Sequence, residues 1–241
     1  MKTVFLGDKT ADVLLVQPVD SHDMEVMDSE FAYIEAHCGK RARLAAVLVD
    51  DWNRDLSPWE APPVFGKEGF GAGAAETLFY IENNVVPELL AERDKRSPAG
   101  GIQASSDGAL TGSLKDSATA GGIPIFIGGY SLAGLFALWS IYQTDRFAAC
   151  AAASPSVWFP GWLKYASEHA PKTKAVYLSL GDKEKKARNP LMATVADCIV
   201  RQNELLGDLP HTLEWNQGNH FVDSDIRTAK GFVWALDRFD R

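Results

Sequence analysis

One serine in the sequence has neighbours that are typical of a catalytic nucleophile. Ser131 lies in the segment GGYSLAG at residues 128–134, which follows the apolar run 123–127 and precedes an apolar helical segment. A strand, a tight turn through a serine and a helix make up a nucleophile elbow, in which the strained turn exposes the hydroxyl. Ala133 stands where the usual motif has glycine, and Gly134 follows directly. The pattern predicts that Ser131 is a nucleophile; the alternative is a glycine-rich turn with an incidental serine.

A serine hydroxyl becomes a good nucleophile only when a base takes its proton, and histidine is the usual base. The candidates are His22, His37, His169, His211 and His220. In open α/β sheets the reacting groups lie at the carboxyl ends of the strands. His220 follows the predicted strand 212–215 and a short turn, whereas His211 begins that strand at the opposite edge. The acidic neighbours of His22 fit helix capping better than metal ligation. His220 is also the last histidine, as the chain order Ser–acid–His requires.

Two carboxylates follow the predicted strand 175–180, and either can orient the imidazole. Asp182 comes directly after Gly181, and Glu184 comes two residues later. An acid in this role holds the histidine in its reactive tautomer. Three lysines stand beside the pair, so a solvated charged loop is the alternative. Three separate strand ends thus offer the three groups that nucleophilic catalysis needs, in the required order.

Two backbone N–H groups are expected to stabilise the oxyanion. One belongs to Leu132, the residue after the nucleophile, and the other comes from a loop that follows an earlier strand. The predicted strands 44–49 and 13–16 precede the nucleophile strand. Counting back two strands leads to the loop 18–20, and the N–H of Val19 is the expected second donor.

Two aromatic loops leave the same edge of the sheet and are expected to contact the substrate. One follows the strand 44–49, and the other follows the predicted strand 147–153. The expected substrate-contacting residues are Trp52, Asn53, Arg54 and Trp158. The alternative is that these tryptophans only hold long loops in place.

Strand-like and helix-like segments alternate along the whole chain. Such alternation predicts an α/β fold with a mostly parallel sheet and helices on both faces. The predicted helices are 24–37, 75–92, 132–143, 157–169, 190–205 and 223–238, and Pro87 should kink or end the second one. A single domain over residues 1–241 is expected, with a polar insertion at 96–121 that has too few large apolar side chains to form a core. We expect this insertion to be mobile.

Composition narrows the possible function classes. Lys and Arg number 24 against 32 Asp and Glu, a net charge of −8. This acidic balance argues against nucleic-acid binding and against docking to anionic membranes. No apolar run reaches the roughly 20 residues of a transmembrane helix, and the first residues do not resemble a signal peptide. Three scattered cysteines suggest neither a disulfide framework nor a metal site, so we expect a cytoplasmic protein.

Four segments together resemble a known enzyme group. They are GYSLAG at 129–134, DWNR at 51–54 with SPW at 57–59, SPSVW at 154–158 and GNHF at 218–221. They are similar to the branch of the α/β-hydrolase superfamily that includes enterochelin esterases, feruloyl esterases and esterase D (S-formylglutathione hydrolase). The resemblance covers roughly residues 11–238. It implies an α/β-hydrolase fold without a separate lid domain.

The resemblance also implies a reaction. The group cleaves carboxylic esters of small molecules through an acyl-enzyme, with no metal or cofactor, and some members use a Ser–His dyad alone. Its spacing points to Glu184 as the acid, with Asp182 as the alternative. Acyl transfer to an acceptor other than water, as in the related mycolyltransferases, is a second possibility. A catalytically silent binding protein is a third, and neither the substrate nor the oligomeric state follows from the sequence.

Overall fold

The computed structural model describes residues 1–64, 66–94, 119–120 and 122–239. Of the segment 96–121, which was expected to be a mobile insertion, only residues 119–120 are described. The expectation for the remainder therefore lies outside the described residues. Within these ranges no helix is both long enough and apolar enough to cross a lipid bilayer.

Within the described ranges, seven strands form the main sheet, and an eighth pairs with the start of one of them. The strands are β1 (Lys2–Gly7), β2 (Val13–Val19), β3 (Ala42–Leu48), β4 (Glu60–Ala61), β5 (Phe70–Gly71), β6 (Thr119–Ala120), β7 (Ile123–Tyr130), β8 (Ala149–Ala153), β9 (Ala175–Gly181) and β10 (His211–Asn216). The order in the main sheet is β1-β3-β2-β7-β8-β9-β10, and β6 pairs with β7. Only β1 and β6 run antiparallel to their neighbours, whereas β4 and β5 form a separate hairpin. The expected mostly parallel sheet is confirmed.

The central strands are buried along their whole length. Every residue of β2, β7, β8 and β9 is inaccessible to solvent, which explains why these strands appear in the sequence as continuous apolar runs. Strand β2 continues past Pro18, where the sequence suggested an end. Pairing of β2 with β7 stops at Val16, and Pro18 lies beyond that point. Its missing N–H therefore removes no hydrogen bond from the sheet.

Helices cover both faces of the sheet. They are α1 (Met27–His37), α2 (Trp52–Asp55), α3 (Ala74–Tyr80), α4 (Val86–Asp94), α5 (Ser131–Gln143), α6 (Trp162–Glu168), α7 (Val195–Leu205) and α8 (Ser224–Phe239). Helices α1 and α8 bury one face, and α3 to α7 bury the other. The expected coverage of both faces is confirmed.

Two predicted helices differ in detail from the structure. Residues 23–25 form a 3-10 turn, which Asp20 caps by accepting hydrogen bonds from the N–H groups of His22 and Asp23. The α-helix begins only at Met27. Pro87 does not end the second helix, because a π-helical turn at residues 81–85 joins α3 to α4 just before it. In a π-helical turn the backbone hydrogen bonds connect residues five apart, not four. The regular α-helical pattern is therefore already interrupted just before Pro87, which has no N–H to donate.

Candidate active site

Ser131 occupies a strained turn between β7 and α5. Its φ is +57°, a left-handed conformation that is uncommon for residues other than glycine. A Cβ at Gly129 would lie 2.7 Å from the carbonyl carbon of Ala133, so no larger residue fits there. A Cβ at Gly134 would lie 3.0 Å from the carbonyl oxygen of Gly129. The alanine at position 133 is therefore accommodated, because the close contacts fall on the glycines at 129 and 134.

A chain of hydrogen bonds joins three strand ends. Nε2 of His220 lies 2.9 Å from Oγ of Ser131, and Nδ1 lies 2.7 Å from Oε2 of Glu184. His220 follows β10, whereas Glu184 begins a short 3-10 turn after β9. The consistent pattern has the serine hydroxyl donating to Nε2 and the Nδ1–H donating to the carboxylate. A serine, a histidine and a carboxylate in this geometry can act as nucleophile, base and orienting acid.

Hydrogen-bond donors surround Oε1 of Glu184, the carboxylate oxygen that does not face His220. The side chain is buried, with 5% exposure. Oε1 accepts hydrogen bonds from Oγ of Ser154 at 2.7 Å, from the N–H of Gly181 at 2.7 Å and from Nη1 of Arg227 at 3.3 Å. Ser154 ends β8 with a φ of +42°. Because one carboxylate oxygen is held by these donors, the other is free to face the imidazole.

Asp182 has a different role from Glu184. Its Oδ1 accepts a hydrogen bond from the N–H of Gly218 at 2.8 Å, and its own N–H donates to the carbonyl of Asn216. The side chain therefore fastens the turn that carries His220. Of the two carboxylates that the sequence left open, Glu184 is the one that contacts the imidazole.

Arg227 is a residue of this network that sequence analysis did not identify. It lies in α8 and is only 2% exposed. Nη1 donates to the hydroxyl of Tyr130 at 3.1 Å as well as to Glu184, and Nη2 donates to the carbonyl of Gln217 at 2.9 Å. The Tyr130 hydroxyl in turn donates to the carbonyl of His220 at 2.9 Å. An arginine in the first turns of an amphipathic helix is usually exposed, so the sequence carried no signal for this role.

Burial and the nearby Glu184 carboxylate raise the pKa of Tyr130 to about 12. The phenol therefore keeps its proton at neutral pH and serves as a hydrogen-bond donor to the backbone beside His220.

The expected oxyanion donor Leu132 lines the cavity above Ser131. It belongs to the first turn of α5, where backbone N–H groups have no partner within the helix. Val19, the expected second donor, is not among the described residues that line this cavity. It lies inside β2, in register with Leu48, and its carbonyl accepts a hydrogen bond from Val49. A strand residue directs its N–H and C=O to the same neighbour, so the N–H of Val19 faces β3 and not the cavity.

The short helix α2 approaches the site instead. Four of the six amides in residues 50–55 bond within that segment: Asp50 and Asp51 donate to the Asp55 carboxylate, Arg54 to the Asp51 carboxylate, and Asp55 to the Asp51 carbonyl. The other two amides belong to Trp52 and Asn53, and both of these residues line the cavity. They occupy the first turn of α2, where the helix supplies no acceptor.

A cavity of about 400 Å³ opens beside Ser131. Its walls include Trp52, Phe70, Leu132, Trp158, Met192 and Val195. Three of the four expected substrate-contacting residues, Trp52, Asn53 and Trp158, line it. Arg54 does not, because its guanidinium pairs with the buried carboxylate of Asp55 at 2.7 Å. In the described part of the chain, no group of three or more His, Cys, Asp or Glu side chains is arranged to hold a metal ion.

Comparison with known proteins gives matches only at the level of structure. No family model matches the sequence, and no curated protein does. An IroE-like serine hydrolase from Shewanella oneidensis aligns with a TM-score of 0.68 and 15% identity, over 96% of this chain and 74% of the other. The siderophore hydrolase EstA from Aspergillus nidulans aligns with a TM-score of 0.60 and 17% identity, over 96% and 84%. A Bacillus cereus carboxylesterase aligns with a TM-score of 0.53 and 15% identity, over 98% and 94%. The chain therefore has the α/β-hydrolase fold that its motifs implied.

Proposed function

We propose that this protein is a serine hydrolase that cleaves carboxylic esters through an acyl-enzyme. The observation that carries the proposal is the hydrogen-bonded chain from Ser131 through His220 to Glu184, at the edge of an apolar cavity. A silent binding protein has no need of all three groups in this geometry. The fold likeness to proteins that are described as serine hydrolases, siderophore hydrolases and a carboxylesterase supports the same class.

In the first half of the reaction, Ser131 is acylated. Its Oγ attacks the carbonyl carbon of the ester while Nε2 of His220 takes the hydroxyl proton. The carboxylate of Glu184 stabilises the imidazolium through the Nδ1–H. When the tetrahedral intermediate collapses, the bond to the alcohol oxygen breaks and His220 passes its proton to that oxygen. The alcohol leaves, and the acyl group stays on Ser131.

In the second half, water releases the acid. His220 removes a proton from a water molecule, which attacks the acyl carbon. The second tetrahedral intermediate collapses with transfer of the proton back to Oγ of Ser131. The carboxylic acid leaves, and the free serine is restored without any metal or redox step.

Backbone amides stabilise the negative oxygen of both intermediates. Leu132 supplies one N–H, as elbow geometry requires. We assign the second donor to the first turn of α2, because the amides of Trp52 and Asn53 border the cavity and their neighbours' amides bond elsewhere. Preorganised donors of this kind are each worth roughly 10²–10³ in turnover in hydrolases.

A fluorophosphonate probe tests the proposal, because it reacts only with an activated serine. The wild-type protein should be labelled at Ser131. Ser131→Ala should abolish labelling and lower kcat/KM for a p-nitrophenyl ester by at least about 10³-fold. Ser156→Ala is the matched control, since Ser156 also lines the cavity and should leave the label in place. Near-normal turnover by Ser131→Ala would overturn the assignment, and an unlabelled wild-type protein would indicate a binding protein.

A further inference from the structure

The cavity beside Ser131 is almost free of charge. Among the described residues that line it, the only ionisable side chains are Glu184 and His220, which bond to each other. The remaining polar side chains are those of Asn53, Ser131, Ser154 and Ser156. The hydroxyl of Ser154 already donates to Glu184. Little in these walls can therefore compensate a charged group on a ligand.

Two arginines close to residues of the site are occupied elsewhere. The guanidinium of Arg54 is held outside the cavity by Asp55, through Nε at 2.8 Å and Nη2 at 2.7 Å. Arg227 lies behind Glu184, where it bonds to Tyr130 and to the carbonyl of Gln217. Neither lines the cavity. An anionic group in the cavity would lose its hydration. No lysine or arginine among the described lining residues would pair with it.

The proton path decides which end of the ester enters the cavity. The alcohol oxygen must lie beside Nε2 of His220, because it receives its proton there. The next residue, Phe221, is 89% exposed and marks the open edge. Phe70, Trp158 and Val195 line the cavity and are no more than 8% exposed. The acyl group therefore extends toward these buried walls, and the alcohol lies toward solvent.

We propose that the acyl group of the substrate is uncharged and apolar, of the size of a hexanoyl or benzoyl group. The alcohol part is far less restricted, because it lies at the open edge beside Phe221. This inference rests on the proposed ester hydrolysis and specifies its substrate class. Apolar walls favour each additional buried methylene, whereas a carboxylate without a cationic partner is strongly disfavoured.

Three esters with one leaving group test the proposal. They are p-nitrophenyl acetate, p-nitrophenyl hexanoate and mono-p-nitrophenyl adipate, whose acyl chain matches hexanoate but ends in a carboxylate. We expect kcat/KM for hexanoate to exceed that for acetate by roughly 30- to 200-fold, since each buried methylene adds a several-fold gain. It should exceed that for adipate by at least about 100-fold. Equal values for hexanoate and either of the other two esters would overturn the proposal.

A charge placed in the wall should reverse the selectivity. Met192→Arg puts a cation at a half-buried position of the wall and should raise the adipate-to-hexanoate ratio of kcat/KM by at least about 30-fold. Val200→Arg makes the same charge change on the exposed side of α7, away from the cavity, and should leave the ratio unchanged. An equal shift in both variants would mean that overall charge decides, and this result would contradict the proposal.

Binding to Ser131→Ala separates this inference from the hydrolysis itself. Trp52 and Trp158 line the cavity, so quenching of tryptophan fluorescence by the nitrophenyl group reports binding. Hexanoate should bind at least tenfold more tightly than adipate in this variant. If hexanoate binds more tightly to this variant while the wild-type protein cleaves neither ester, the hydrolase proposal is wrong but the proposed ligand class is supported. If the two bind equally, the ligand class is wrong even where hydrolysis is observed.

Discussion

Asp182 and Glu184 leave the same strand two residues apart, but they act on different parts of the neighbouring turn. Asp182 accepts a hydrogen bond from the backbone of Gly218, so it fixes the path of the turn. Glu184 accepts from the imidazole of His220, so it fixes the ring and its tautomer. At the scale of single residues, one carboxylate holds the turn that precedes His220 and the other holds the imidazole of His220.

Substitution of the two carboxylates by amides should separate these roles. Glu184→Gln should lower kcat by up to about 10⁴-fold, because an amide N–H facing Nδ1 favours the wrong tautomer. Asp182→Asn should lower it less than about tenfold, since the amide oxygen can still accept from Gly218. Steady-state kinetics with unchanged circular dichroism would measure both. The reverse order would move the acid to Asp182, and two small effects would favour a Ser131–His220 dyad.

Arg227 should act as a positioning residue that never touches the substrate. Arg227→Met removes a buried donor to Glu184 and to Tyr130, and we expect kcat to fall at least tenfold while KM stays unchanged. Stability should also fall by about 3–5 kcal/mol, because the buried carboxylate loses its cation. Kinetics must therefore be measured well below Tm.

Arg227→Lys keeps the charge but offers one nitrogen in place of the planar fork, whose Nη1 bonds to Tyr130 and Glu184 and whose Nη2 bonds to Gln217. It should recover most of the stability of Arg227→Met and only part of the kcat. A variant of either kind that is folded and has wild-type kcat would show that Arg227 is purely structural.

At the scale of elements, α1 and β2 are joined by an unusual buried pair. Nε2 of Gln17 in β2 donates to Oε2 of Glu30 in α1 at 3.2 Å. Among the described residues, Oε1 of each side chain has no hydrogen-bond partner. A proton on Glu30 would let its second oxygen donate to the free oxygen of Gln17 and satisfy both. Burial accordingly raises the pKa of Glu30 well above its usual value.

The Glu30 pair predicts that stability depends on pH. Because the folded pKa is raised, the folded protein binds more protons than the unfolded chain above the ordinary carboxyl pKa. The free energy of unfolding should then fall as the pH rises from the ordinary carboxyl pKa to the raised pKa of the folded protein, by up to about 1.4 kcal/mol per pH unit. Glu30→Gln keeps a reciprocal pair with Gln17 and lacks this decline, so it should be more stable than the wild-type protein at pH 8.

Urea unfolding of Glu30→Gln at pH 5, 6.5 and 8 measures this effect. Asp23, whose pKa is raised to about 6 by burial and by Asp20, contributes a decline to both proteins, and its repulsion of Glu30 is part of the difference between the two curves. Glu35→Gln, on an exposed face of the same helix, is the control and should follow the wild-type curve. Parallel curves for Glu30→Gln and the wild-type protein would contradict the prediction.

At the scale of the whole molecule, the parallel order of β7, β8, β9 and β10 builds the site. All four strands end at one edge, so Ser131, Ser154, Glu184 and His220 meet although they are up to 89 residues apart in the chain. Helix α8 crosses beneath this edge and adds Arg227.

We expect residues 96–118 to be dispensable for folding. Their composition offers few large apolar side chains to bury, and closing a long surface loop costs little more than closing a short one. A variant with a short Gly/Ser linker in their place, which keeps β6, should melt within about 3 °C of the parent. A much larger drop in Tm would show that the segment packs on the domain. Lost activity at unchanged Tm would show that it takes part in the site.

Several features of this protein were determined by the sequence alone. The tight turn at Ser131, the position of His220 after a strand and the alternation of strands and helices depend on short-range patterns and on chain order. Buried parallel strands must be apolar throughout, so their number and order along the chain could be recognised. The side chains that meet at the candidate site could thus be predicted before its geometry was known.

Other features were decided only by the tertiary structure. The choice of Glu184 over Asp182 depends on which side chain of one turn faces the next strand. Val19 faces β3 because β2 continues past Pro18, and that depends on the pairing of Pro18 and Val19 with β3. The outward position of Arg54 and the burial of Arg227 depend on partners that the chain brings together only on folding. Contacts between distant residues and the direction of each side chain are set by strand register and helix packing, which no local pattern encodes.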